Sequence, residues 1–342
     1  MVAQYGTTST EDGYNTCDRF RYDKTGTDEN PTQAQVDVAS GTTPYTSGFR
    51  KAFKITNGNQ TSGAGAADRL VILYRVEAQD LAKSGWNYTS ASSYVSFSFW
   101  VKSSVAQNFY VTFKSGDGTP QKYAMETGSL SAATWTKITK TIPGNSDIQF
   151  DNDTGEGLEI EWSLFRGTDL TGSMSLNAWA ANNNSVRTPD QTSTWYTTND
   201  ATFELTGVQL EVGSTATAFE HRSFGEELRF CQRYYFKLPY QGASNGGGVY
   251  LGSGKETGSA ARACVIFPVP MRAIPSCAAS DLLADDEVSA TSANTVSSVL
   301  ASSVEPDRGR IQFTGGSYSS GTSISLATNA SSDSYLEGSS EL

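Results

Sequence analysis

The chain has 342 residues and a mass of 36.6 kDa, with 37% hydrophobic, 11% aromatic and 18% charged residues and 32 glycines. This composition favours many short strands joined by small polar turns over helices rich in Glu, Lys, Leu and Ala, which excludes an all-helical protein. The aromatic content excludes a disordered chain. A formal net charge of −11 without any Lys/Arg run argues against nucleic acid and against an anionic membrane surface as partners.

The amino-terminal stretch MVAQYGTTSTEDG has neither the basic nor the apolar region of a signal peptide. No apolar run, such as that around residues 97–101, is long enough to cross a bilayer. We therefore expect a protein that is made and folded in a cytoplasm and does not insert into a membrane.

Cysteine and histidine are too few and too scattered for zinc or for triad chemistry. No CxxC spacing exists, so the four cysteines are expected to be free thiols in a reducing cytoplasm. His221 is the single histidine, and no nucleophile elbow lies near it. The cysteines are Cys17, Cys231, Cys264 and Cys277.

Alternation of apolar and polar residues predicts a series of strands in the first two thirds of the chain. The predicted segments are 69–77, 94–104, 108–118, 135–144, 158–165 and 201–212. Trp100 and Trp162 lie inside these alternations and are assigned to the core, and Gly207 is placed where a bulge would bend the last strand. Six or more strands with long loops predict an antiparallel jelly-roll sandwich over residues 17–215, preceded by a polar, flexible arm at residues 1–16.

A different pattern begins near residue 219 and predicts a short connector helix within residues 216–236. Ser223 precedes Glu226 by three residues, as in a capping box. Such a helix either joins the sandwich to the remainder of the chain or packs its apolar stripe against copies of itself around a threefold axis. The stripe residues recur at i, i+4, i+7 and i+11 and are Phe224, Leu228, Cys231 and Tyr235.

Residues 237–342 are expected to form a smaller distal β-sandwich domain. Strands are predicted in the segments 261–276, 310–316, 322–329 and 334–342. Three prolines predict that the first of these strands lies at an edge or pairs irregularly. The Ser/Thr/Ala tract 289–303 is either an exposed loop or a strand held by neighbouring subunits. The whole chain is thus predicted to be all-β, apart from the connector helix.

The string GVQLEVGSTATAFEHRSFGEELRFCQRYY, residues 207–235, closely resembles a segment of many tailed-bacteriophage fibre and related virion proteins. Other blocks resemble the same family in the same order and at similar distances, so that the resemblance runs from about residue 17 to the carboxyl terminus. These blocks are VSFSFWVKSS, WTKITKTIPG, FDNDTGEGLEIEWSLF, residues 179–184, FPVPMRAIPSCAAS and SYLEGSSEL.

The resemblance implies a non-catalytic virion fibre, homotrimeric, whose jelly roll is similar to carbohydrate-binding modules and adheres to host-surface polysaccharide. Long fibres of this family usually begin with an additional domain that docks on the virion, and this sequence starts almost at the sandwich. Either the arm at residues 1–16 docks on other virion proteins, or the protein is a capsid decoration or head-fibre protein, or it is a distal subunit carried by an adaptor.

A carbohydrate site needs flat aromatic faces for stacking and amides or hydroxyls for the sugar OH groups. The segment AWAANNNS has the best composition for such contacts, and core packing is the competing explanation for each aromatic residue. The candidate carbohydrate-binding residues are Trp179, Asn182, Asn183, Trp195, Tyr196 and Trp86.

No cofactor is expected to be required, but the turn FDNDTGEG offers Asp151, Asp153 and Glu156 as ligands for a structural Ca²⁺ ion. The alternative is an acidic surface turn without metal.

Polysaccharide depolymerase activity is the enzymatic alternative. Glu159 and Glu161 share one face of a predicted strand about 6.5 Å apart, an admissible spacing for glycoside hydrolysis. Such pairs are common on exposed strands without catalysis, and the chain lacks the repeat of a long parallel β-helix. We therefore expect no enzymatic activity.

Overall fold

The computed structural model describes residues 1–239, 250–256, 260–285, 294–295, 298–314, 323–328 and 334–342. The chain divides into two compact units. The first consists of Met1 and Ala3–Arg222, and the second consists of Val2 and Ser223–Leu342. Both are built almost entirely from antiparallel strands.

The first unit is a sandwich of two six-stranded sheets with three short helices and one 3-10 turn. Its strands are β1 (Thr8–Ser9), β2 (Phe20–Thr25), β3 (Thr32–Asp37), β4 (Lys51–Thr56), β5 (Arg69–Glu77), β6 (Tyr94–Ser103), β7 (Asn108–Ser115), β8 (Gln121–Ser129), β9 (Thr136–Pro143), β10 (Glu156–Arg166), β11 (Trp179–Ala181) and β12 (Thr202–Val212). Its helices are α1 (Thr43–Thr46), α2 (Ala78–Ala82) and α3 (Thr194–Thr197), and the 3-10 turn is Thr168–Leu170. Sheet A has the order β1-β3-β4-β12-β6-β9, and sheet B has the order β11-β8-β7-β10-β5-β2.

Aromatic side chains from the two sheets meet in the interior and hold the sandwich together. Phe97 on β6 of sheet A lies 5.0 Å, centroid to centroid, from Phe113 on β7 of sheet B, and 5.9 Å from Trp162 on β10. All three are fully buried. Burying one such side chain stabilises the fold by about 1.5–3 kcal/mol. The antiparallel jelly-roll sandwich predicted from the sequence is confirmed.

Each of the six predicted strand segments contains a strand, and β5 has the predicted bounds. The bulge predicted at Gly207 is also confirmed, because the pairing of β12 with β6 shifts between Thr206 and Gln209. Gly207 has a φ of +60°, and a Cβ at this position would lie 2.6 Å from the Phe49 ring. Glycine is therefore required both by the backbone and by the close approach of Phe49.

Residues 1–16 do not form the expected flexible arm. Strand β1 pairs with β3, with Thr8 opposite Ala34, and Gly13 bridges to Tyr22. The backbone N–H and side-chain amide of Gln4 donate to the Asp18 carboxylate at 2.8 and 2.7 Å. Hydrogen bonds of polar side chains and of the backbone thus attach this segment to the sandwich. The segment has no apolar periodicity from which this attachment could be predicted.

The second unit is a smaller β-sandwich preceded by one helix, α4 (Phe224–Gln232). Its strands are β13 (Tyr235–Pro239), β14 (Tyr250–Glu256), β15 (Ala261–Ile266), β16 (Ser276–Ser280), β17 (Leu282–Asp285), β18 (Asn294–Thr295), β19 (Ser298–Val304), β20 (Arg308–Thr314), β21 (Ser323–Thr328) and β22 (Tyr335–Ser339). A three-stranded sheet, β13-β22-β16, and a seven-stranded sheet, β18-β17-β21-β14-β15-β20-β19, share one core.

The first strand of the proline-rich segment does not lie at an edge of the second unit. Strand β15 ends at Ile266, before Pro268, and pairs on both sides, so the edge position, one of the two predicted alternatives, is wrong. The tract 289–303 is described only at residues 294–295 and 298–303, and the rest of it lies outside the described residues.

The predicted capping box of α4 is confirmed, but the predicted apolar stripe is interrupted. The Ser223 hydroxyl accepts from the Glu226 backbone N–H while the Glu226 carboxylate accepts from the Ser223 backbone N–H. Phe224 is 69% exposed and Leu228 is half-buried. Cys231 and Tyr235 are buried in the single chain, so these two side chains are not available for contact with a neighbouring copy.

All four cysteines are thiols and not disulfides, as expected. Within the described ranges, no helix has the length and apolar character needed to span a membrane.

Candidate functional site

The outer face of sheet B carries a transverse row of charged side chains. Residues directly opposite each other on antiparallel strands share one face of the sheet. Lys122 on β8 is opposite Lys114 on β7, Lys114 is opposite Glu159 on β10, and Glu159 is opposite Arg75 on β5. We call this row and its neighbours Glu161 and Arg166 the charged face; its residues Arg75 and Lys114 are half-buried and the other four are buried.

Two cations and two glutamates of the charged face form one ion-pair network. Glu159 accepts from Arg75 Nη2 at 2.8 Å and from Lys114 Nζ at 3.0 Å. Glu156 pairs with the same two cations, at 2.7 Å to Arg75 and 3.4 Å to Lys114. Burial alone would raise the pKa of Glu159, but the charges of Lys114 and Arg75 outweigh it and lower that pKa. The two positive and two negative charges compensate each other.

A second, fully buried ion pair lies beside this network. Arg166 donates to both carboxylate oxygens of Glu161, from Nη2 at 2.6 Å and from Nε at 3.1 Å. The β-bulge between Ser163 and Phe165 brings Arg166 to the same face as Glu161, although the two are five residues apart. The Nη1 atom of Arg166 is buried and has no hydrogen-bond partner among the described residues.

Lys122 is a buried cation without a carboxylate partner among the described residues. Its Nζ donates to the backbone carbonyl of Arg187 at 3.3 Å, and no described carboxylate lies within ion-pair distance of it. Burial lowers the pKa of Lys122 to about 8; Glu161 opposes this change, and Arg166 and Arg187 add to it.

Arg187 lies on the loop between β11 and α3, and hydrogen bonds hold that loop in place. Its backbone N–H donates to the Leu170 carbonyl at 2.8 Å, and its Nε donates to the Asn184 carbonyl at 3.2 Å. Its guanidinium is half-buried and makes no ion pair among the described residues. Burial and the nearby charge of Arg166 lower the pKa of Arg187.

A polar cleft of about 320 Å³ lies on sheet B, and Tyr110 is part of its lining. Tyr110 is on β7, directly opposite Ser163 on β10. Tyr110 and Lys114 share the outer face of one strand four residues apart, which corresponds to about 13 Å. The polar residues that line the cleft include Gln107, Asn108, Tyr110, Ser129, Asp190 and Gln191. The cleft therefore offers one aromatic ring surrounded by amide, hydroxyl and carboxylate groups.

Three of the aromatic residues predicted to bind carbohydrate lie in the core instead. Trp86, Trp195 and Tyr196 are buried, so none can stack on a sugar. Their polar atoms have internal partners, since Trp195 Nε1 donates to the Thr202 carbonyl at 3.0 Å and the Tyr196 hydroxyl donates to Asp68 at 3.1 Å. These are ordinary positions for large aromatic side chains whose polar atoms find partners.

The segment around Trp179 lies beside the charged face. Strand β11 pairs with β8, with Ala180 opposite Lys122. Trp179 is half-buried, and its Nε1 donates to the Pro143 carbonyl at 2.7 Å. Asn182 donates to the Asn184 side chain, and Asn183 accepts from the Ser185 backbone N–H at 2.9 Å. These asparagines therefore shape the turn that leads to Arg187.

The three predicted calcium ligands make separate interactions. Asp153 accepts from the Gly155 backbone N–H at 2.8 Å, Asp151 accepts from the Gln149 side chain at 2.9 Å, and Glu156 belongs to the ion-pair network. Among the described residues no three His, Cys, Asp or Glu side chains come together as a metal site. In this structure the three side chains thus contact different groups, and the structural Ca²⁺ ion stays a prediction.

Sequence reasoning missed Lys114, Lys122, Arg75 and Arg187. Two of them lie at outward positions of strands β5 and β7, which were predicted, so the alternation pattern could have assigned them to a face. The row itself depends on the pairing register of four strands, which no local pattern contains.

No family model matches this chain, and no curated protein matches it. Among solved structures it is similar to the enzymatically active domain of tailspike protein 4 of bacteriophage CBA120, at 10% identity over 57% of this chain and 19% of that one, with a TM-score of 0.32. It is similar to the family 11 carbohydrate-binding module of the Clostridium thermocellum cellulase Lic26A-Cel5E, at 13% identity over 63% of this chain and 98% of that one, with a TM-score of 0.28. It is also similar to the CBM22-1 xylan-binding domain of Paenibacillus barcinonensis Xyn10C, at 12% identity over 62% and 96%, with a TM-score of 0.27. At these TM-scores the fold rests on the sheet topology described above, and the likenesses do not establish what this chain binds.

Proposed function

We propose that the protein is a non-catalytic virion protein of a tailed bacteriophage, a tail fibre whose jelly-roll unit adheres to host-surface polysaccharide. The observation that carries the binding proposal is the outer face of sheet B, where a polar cleft and a row of charged side chains follow one another along the same strands. The resemblance of the sequence to phage fibre proteins supports the virion role.

The face suits a polymer of sugars because its polar groups are held in place before a ligand arrives. Ion pairs orient Arg75 and Lys114, and strand pairing fixes Tyr110 beside the cleft. Preorganised polar groups lose little entropy on binding, and an aromatic ring among them supplies a stacking surface. Many copies per virion would convert weak single sites into strong attachment, so we expect millimolar or weaker affinity for one monosaccharide.

The geometry of Glu159 and Glu161 supports binding rather than hydrolysis. A general acid needs a raised pKa, but neighbouring cations lower the pKa of Glu159. Both carboxylate oxygens of Glu161 accept hydrogen bonds from the buried Arg166 side chain. The lowered pKa of Glu159 and the contact of Glu161 with Arg166 favour a structural role for this pair over a general-acid role.

We also propose that the fibre is a homotrimer. The exposed ring of Phe224 at the start of α4 supports a contact between copies, whereas Cys231 and Tyr235 are excluded by burial. Light scattering on the intact protein tests this proposal directly. Replacing Phe224 by serine should weaken a trimer without unfolding the chain, and a monomer at all concentrations would contradict it.

Retention of the intact protein on polysaccharide purified from host cells tests adhesion. Tyr110→Ala should reduce retention at least tenfold, since it removes the ring from the cleft. The matched control is Tyr94→Ala, because Tyr94 is an exposed tyrosine on sheet A. If the protein is not retained on any host polysaccharide, or if both variants bind as the wild type does, the binding proposal is wrong.

A further inference from the structure

The positive charges of the charged face are not all compensated. Arg75 and Lys114 are balanced by Glu156 and Glu159, and Arg166 is balanced by Glu161. Two cations remain, Lys122 and Arg187, and neither makes an ion pair among the described residues.

The Lys122 ammonium donates to the Arg187 backbone carbonyl at 3.3 Å, and the Arg187 charge is near enough to help lower the pKa of Lys122. Lys114 lies on the other side of Lys122, directly opposite it on the neighbouring strand. The strip that runs from Arg187 across Lys122 to Lys114 therefore carries two uncompensated positive charges, those of Arg187 and Lys122, in a protein whose formal net charge is −11.

A cation buried without a counter-ion is unfavourable unless something compensates it. Lys122 is only 5% exposed, whereas its neighbours Lys114 and Arg187 are half-buried. An anionic group placed over this strip would hydrogen-bond to Arg187 and Lys114 and would offset the charge of Lys122 beneath them.

We infer that the strip formed by Arg187, Lys122 and Lys114 binds the anionic group of an acidic saccharide, a carboxylate or a sulfate ester. This inference rests on the proposed function and names the class of glycan that the face selects. Neutral chains would contact the Tyr110 cleft alone, whereas acidic chains would contact both the cleft and the strip.

The experiment compares matched pairs of polysaccharides by affinity electrophoresis of the intact protein. Polygalacturonate is paired with its carboxyl-reduced form, and dextran sulfate is paired with dextran. We expect at least tenfold tighter binding to the acidic member of one pair, and the pair that shows it identifies the anionic group. This preference should decrease at high salt, because screening weakens charge contacts near the surface.

Variants then assign the preference to the strip. Lys122→Met combined with Arg187→Gln should abolish the preference, so that the acidic polymer binds no more tightly than its neutral partner. The charge-matched control is Lys137→Gln combined with Lys140→Gln on β9 of sheet A, which should retain the preference. Arg187→Gln alone changes only a half-buried loop side chain and should reduce the preference partially, which separates loss of binding from loss of folding.

The outcomes distinguish this inference from the proposed function. Equal binding to the acidic and neutral members of both pairs overturns the inference but leaves glycan adhesion intact. An acidic preference that survives in the double variant at Lys122 and Arg187 also overturns it. Absence of binding to these polymers and to host polysaccharide overturns both.

Discussion

Replacing Lys122 by methionine should stabilise the first unit, although most substitutions of buried residues destabilise a protein. Methionine has nearly the same length and no charge, so it fills the same space between Lys114 and the Arg187 loop. A pKa of about 8 instead of the ordinary 10.5 means that holding the charged form in the folded state costs about 3 kcal/mol. Loss of the hydrogen bond to the Arg187 carbonyl offsets about 1 kcal/mol of the gain. We expect Lys122→Met to raise the free energy of unfolding by about 1–2 kcal/mol at pH 7.

The pH dependence gives this prediction a characteristic sign. The folded-state pKa of Lys122 is below its unfolded value, so between about pH 8 and pH 10.5 the unfolded chain binds more protons than the folded chain. Wild-type stability therefore gains a contribution as pH rises through this window, and the methionine variant lacks that contribution. The advantage of the variant should be largest below pH 8 and should disappear near pH 10.5.

Urea unfolding followed by tryptophan fluorescence measures this effect, since all six tryptophans lie in the first unit. Lys114→Met is the matched control: it removes a lysine that pairs with Glu156 and Glu159, so it should destabilise. A Lys122→Met protein that is less stable than the wild type at pH 7, or whose difference from the wild type does not change with pH, would refute the reasoning.

Three further substitutions test single interactions, two inside the first unit and one at the start of the second. Glu161→Gln leaves the buried Arg166 guanidinium uncompensated and should lower stability by about 3–5 kcal/mol, whereas removing both charges together should restore most of it in the same urea assay. Gly207→Ala forces a left-handed backbone on a non-glycine residue and presses on Phe49, so it should lower stability by about 1–3 kcal/mol, and an unchanged unfolding midpoint would contradict this. Ser223→Ala removes the capping box and should cost about 1 kcal/mol, visible as faster amide hydrogen exchange in the first turn of α4.

Local patterns predicted the strands whose two faces differ most in polarity. In β6 the alternation of Phe97 and Phe99 with polar neighbours defines a core face, and the structure places these rings opposite sheet B. The capping box of α4 was equally visible, because its two residues are three apart in sequence. By contrast, the attachment of residues 1–16 depends on contacts such as Gln4 with Asp18, which have no periodicity.

The aromatic residues show why the site was harder to predict than the fold. Trp195 and Tyr196 lie in a polar, loop-like stretch, and composition alone suggested exposure. The structure buries both, since the short helix α3 carries them into the sandwich, where Tyr196 stacks on Phe165 at 4.4 Å. A residue's local sequence does not reveal which distant strand it covers.

The charged face likewise depends on contacts between residues that are far apart in sequence. Its electrostatic properties follow from which of its charges form ion pairs. Local sequence shows Lys122 as one lysine among several on an acidic protein, and only the register of four strands and the position of the Arg187 loop leave it without a carboxylate. The same arrangement that destabilises the folded protein supplies the positive potential that an acidic saccharide would neutralise. Stability and binding should therefore change in opposite directions in Lys122→Met, with a higher unfolding midpoint and a weaker preference for polygalacturonate or dextran sulfate. A variant that gained stability and kept the acidic preference would separate the buried charge from ligand recognition and would assign that preference to Arg187 and Lys114 alone.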